Sequence, residues 1–73
     1  MLKTDAIIIG SGGQARPVTS LLIESKKYNI LGIIDLKKDY NKNEKILNIP
    51  VICNIENIRK YLKKNINIFL AIG

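Results

Sequence analysis

The sequence predicts an α/β fold, a small parallel sheet assembled from βαβ units. Three observations predict it. Short apolar runs rich in isoleucine recur at residues 6–9, 30–34 and 66–72, each the right length for a strand buried on both faces. Between the first two runs, Val18, Leu21 and Leu22 recur at helical spacing on one face. Glycines stand at the junction of the first run and that helix, at Gly10, Gly12 and Gly13, where backbone freedom permits a sharp turn. Seventy-three residues allow one small domain, so residues 1–73 read as a single unit.

The first strand covers residues 6–9 and runs directly into the glycines. Gly10, Gly12 and Ala15 fit the spacing G-x-G-x-x-G/A. In that pattern the first glycine makes the turn, the second lets a diphosphate approach, and the third small residue lets helix pack on strand. Amides left free at a helix N-terminus make such a turn an anion site, with Ser11, Gly13 and Gln14 beside it. The alternative is a tight βα turn whose glycines serve geometry alone. The helix is predicted over residues 14–27, with Pro17 in its opening turn, where a missing N–H costs least, and with Ala15, Val18 and Leu22 toward the sheet.

Tyr28 and Asn29 are expected to close that helix, and residues 30–34 form the second strand, ending at Asp35. A parallel pair joined by a helix puts both strand C-termini on one face. Asp35 therefore emerges beside the glycines, twenty residues past Ala15, where an acid can take a ribose hydroxyl. It can equally be a strand-end aspartate that caps a turn. Residues 36–45 are polar, without periodicity, and read as a surface loop. Residues 46–52 read as a short edge strand, because Pro50 withholds a ladder donor. Asn54 is a candidate N-cap for a helix carrying Ile55, Ile58 and Leu62 on one face, with Tyr61 packing and Arg59, Lys60, Lys63 and Lys64 toward solvent or the helix C-terminus. Residues 66–72 are expected to form a further buried parallel strand, with Gly73 opening a loop. If that strand lies on the other side of the first strand from residues 30–34, the crevice between the strand ends is a topological switch point, where open α/β sheets bind ligands.

Composition narrows the function classes. Cys53 is the single cysteine and histidine is lacking, so a disulfide, a His/Cys metal site and a histidine-based triad are excluded within these residues. Cys53, between Ile52 and Asn54, reads as an inert, partly buried thiol. Net charge is +6, yet the lysines are interleaved with Asp39, Glu44 and Glu56 and no aromatic platform accompanies them, so nucleic acid is not the expected partner. The opening residues are no signal peptide and no run reaches membrane-spanning length, which points to a cytoplasmic protein with no membrane partner. A helix should follow Gly73 to cover the sheet, so the chain is expected to be a fragment, or one domain, of a longer protein.

IIIGSGGQAR-V, LGIID, IPVI and FLAIG, in that order, resemble the N-terminal domain of bacterial sugar O- and N-acetyltransferases of the sialic-acid and bacillosamine type, the PglD/NeuD-like group. The four landmarks cover nearly all of the chain. The resemblance implies a small Rossmann-like domain holding a UDP-linked sugar. It further implies a following left-handed β-helix of hexapeptide repeats that trimerises, binds acetyl-CoA and carries the catalytic histidine. Gly10, Ser11, Gly12 and Gly13 would then lie near the nucleotide-sugar, with Gln14 beside them, Asp35 near the uridine, and Ala71 to Gly73 closing the other wall. No cofactor and no catalytic residue is expected within these residues. Two positions depart from the family pattern: Gln14 stands where members usually carry histidine, and Leu36 where many carry a second acid. Gln14 can donate and accept hydrogen bonds but cannot titrate near neutrality.

The same glycines and Asp35 also suit the dinucleotide domain of an NAD-dependent oxidoreductase, although GSGG and IPVI fit the acetyltransferase domain better. A third alternative is an interaction or regulatory domain whose glycine turn binds nothing.

Overall fold

The computed structural model describes residues 3–36, 44–62 and 65–72. The element order is β1 (Thr4–Ile9), α1 (Ala15–Ser25), β2 (Tyr28–Asp35), β3 (Lys45–Ile46), β4 (Ile49–Asn54), a 3-10 helix (Ile55–Tyr61) and β5 (Asn67–Leu70). The strands form one sheet in the order β3-β4-β2-β1-β5. Pairing is parallel except at β3–β4, so the α/β parallel-sheet expectation is met. β1 is central. Its two neighbours are β2 on one side and β5 on the other, the arrangement that makes a switch point at their C-terminal ends.

Period-two alternation along β1 explains the two core layers. Ile8 faces α1 and is buried with Ala15, Leu22, Ile33, Val51 and Ala71. Ile7 and Ile9 face the opposite layer with Ile34 and Cys53. In α1, Ala15, Thr19 and Leu22 are the buried residues, at the i, i+4, i+7 spacing of one helical face. Leu21, expected on that face, is 68% exposed, because it points well away from the row that begins at Ala15.

The helix is shorter than expected at its C-terminal end. It stops at Ser25, whose Oγ donates to the Leu22 carbonyl at 2.7 Å, and Lys26 turns left-handed at φ 57°. Tyr28 and Asn29 do not close the helix. They begin β2: the Tyr28 ring meets Phe69 of β5 edge-on at 5.0 Å, and Asn29 Nδ2 donates to Asp5 Oδ1 at 3.0 Å. Tertiary pairing thus recruits two residues that local pattern assigned to a turn.

Residues 46–52 are not one edge strand. Ile46 pairs with Ile49 across a two-residue turn in which Leu47 and Asn48 have φ 51° and 68°, so the segment is a hairpin. Positive φ at both central residues is the turn that matches strand twist. β3 takes the edge and leaves β4 to pair with β2; Pro50, opposite Lys45, is exposed. Of the expected loop at residues 36–45, residues 37–43 lie outside those described.

Asn54 does cap the following segment, its Oδ1 accepting from the Asn57 N–H at 3.2 Å. That segment is a 3-10 helix, in which side chains three apart eclipse. Ile58 and Tyr61 therefore pack on the second core layer, while Leu62 is 45% exposed. Lys63 and Lys64 lie outside the described residues. β5 is parallel as expected but not buried: Ile68 and Leu70, in register with Ile7 and Ile9, are exposed, because the 3-10 helix packs against β2 and β4 instead. Among the described residues no helix is long and apolar enough to cross a membrane.

Candidate functional site

The C-terminal ends of β2, β1 and β5 meet around the glycine turn. Gly10 continues the β1 ladder by donating its N–H to the Ile34 carbonyl at 2.8 Å, and the Ala71 N–H donates to the Ile9 carbonyl at 2.8 Å. These two bonds bring Asp35 and Ala71 to opposite sides of Gly10. The result is a cleft of about 480 Å³ whose walls are Gly10 to Gln14 on one side, Asp35, Leu36 and Glu44 on another, and Ala71 and Ile72 on the third.

The glycines divide into two kinds. Gly10 has φ 115°, and a Cβ placed on it would lie 2.6 Å from the Ala71 carbonyl oxygen. Both backbone conformation and close approach demand glycine there. Gly12 and Gly13 are different. Neither has a positive φ, and a Cβ on either would meet nothing within 4 Å. Among the described residues nothing accounts for a missing side chain at these two positions, which open on the cleft.

Helix α1 begins directly under them. The Gly12 carbonyl accepts from the Ala15 N–H at 3.0 Å, and the Gln14 carbonyl from the Val18 N–H at 3.2 Å. Gln14 occupies the N-cap position without a side-chain capping bond, and the first turn holds no acidic residue. The positive end of the helix dipole is therefore uncompensated by the helix's own side chains, and it lies where an anion would be stabilised. Ala15, third in the glycine pattern, is fully buried against β1 and β2 residues, which is the packing role its size serves.

Asp35 ends β2 in register with Asn54 and is 6% exposed. Asp35 lines the cleft beside the glycine turn. Of the residues expected at the site, Gly10, Ser11, Gly12, Gly13, Gln14 and Asp35 come together here. Gly73 lies outside the described residues; Ala71 and Ile72 form the wall it was expected to complete.

Sequence reasoning missed Glu44. It sits on the cleft wall because its backbone carbonyl accepts from the Val51 N–H at 3.0 Å, which ties the start of the hairpin to β4. The hairpin that places it turns at Leu47 and Asn48 without a glycine, so the sequence carried no signal for its position. Cys53, read as inert, is buried in the second core layer and not in the cleft. Burial pushes its thiol pKa up, with the Lys60 charge working weakly the other way.

The model of one family, the PglD N-terminal domain, matches residues 5–73. Neither the curated proteins nor the solved structures yield a match. The match takes in β1, the glycine turn, Asp35 and β5, the parts that build the cleft. The chain belongs to the PglD N-terminal domain family.

Proposed function

We propose that this chain is the substrate-binding domain of a sugar O- or N-acetyltransferase and that its cleft holds a UDP-linked sugar. The observation that carries the reading is the pair Gly12 and Gly13, glycines that neither backbone conformation nor packing among the described residues requires, open on a cleft at a helix N-terminus. A diphosphate over them would approach the backbone without meeting a Cβ and would be stabilised by the α1 dipole. Asp35, at the end of β2, is placed to accept a hydrogen bond from a ribose hydroxyl or a base N–H. Ala71 and Ile72 give the opposite wall an apolar surface for the planar base.

These residues bind and orient; none is assigned a part in acyl transfer. The acetyl-CoA and the catalytic histidine belong, on this reading, to a following hexapeptide-repeat domain that trimerises. The family match supports the sugar-acetyltransferase context. The test is calorimetric titration of the chain with a UDP-linked N-acetyl sugar, UDP and NAD. Binding of the uridine ligands and not NAD is expected. Binding of NAD alone would assign the cleft to a dinucleotide, and binding of none would leave the glycine turn a structural device.

A further inference from the structure

We draw no further inference here: the strongest candidate, the apolar sheet face at edge strand β5 where Ile68 and Leu70 are exposed, carries nothing because nothing in the structure shows what covers it.

Discussion

The Ala71 carbonyl oxygen lies 2.6 Å from the position a Cβ would occupy on Gly10. Two strand ends that are sixty-one residues apart in the chain are thereby locked at the floor of the cleft, since the Ala71 N–H also bonds the Ile9 carbonyl. The floor is a structural joint, and the rim at Gly12 and Gly13 is free of such constraint.

Gly10→Ala should therefore damage the fold itself. Positive φ and a backbone clash act together, and neither can be relieved by moving a flexible side chain. A loss of about 2–4 kcal/mol is expected, read as a lower midpoint in urea denaturation.

Gly12→Val should do the opposite. With open space around an added Cβ, stability should change by about 0.5 kcal/mol or less, while diphosphate binding is lost by collision with the ligand. Asp35→Asn should weaken binding less severely, because the amide keeps one acceptor. Isothermal titration beside urea denaturation separates the two effects. Undiminished UDP affinity in Gly12→Val would show that the diphosphate does not lie over this turn.

Gly32 gives a purely structural control. A Cβ there would lie 2.5 Å from Ile52 Cγ2 and within 2.8 Å of two further Ile52 side-chain carbons, where the β2–β4 register shifts. Gly32→Ala is expected to cost about 1–3 kcal/mol, and Ile52→Ala in the same chain to recover part of that loss. A double-mutant cycle in denaturation measures the coupling.

Cys53 should resist alkylation. Its buried thiol has a raised pKa, so at neutral pH less thiolate is present than in the unfolded chain. Iodoacetamide should modify the native protein far more slowly than the protein in denaturant. The linkage has a definite sign: the unfolded thiol loses its proton first, so stability falls as pH rises from the unfolded pKa through the folded one. Below that window the thiol contributes no pH dependence.

The elements legible in the sequence were those whose local signal coincides with their tertiary role. β1, the glycine turn, α1 and the apolar part of β2 qualify, as do Gly10 to Gln14 and Asp35 at the cleft. The hairpin was not legible, because Leu47 and Asn48 carry its left-handed turn without the glycine that normally announces one. Ile55, Ile58 and Leu62 suit α-helical spacing, but in seven residues the pattern cannot separate that from the i+3 repeat that brings Tyr61 inward. The exposure of Ile68 and Leu70 depends on where the 3-10 helix packs, which an apolar run does not encode. Glu44 and Lys45 followed the hairpin out of view.

The most direct test of the cleft is residue-resolved amide chemical shifts during titration with a UDP-linked N-acetyl sugar, with NAD as the comparison. The account predicts shifts confined to Gly10 to Gln14, Asp35, Leu36, Glu44, Ala71 and Ile72, the residues that line it, and saturable with the uridine ligand alone. Shifts in the same residues with NAD but not the sugar nucleotide, or shifts centred elsewhere on the sheet, would contradict it.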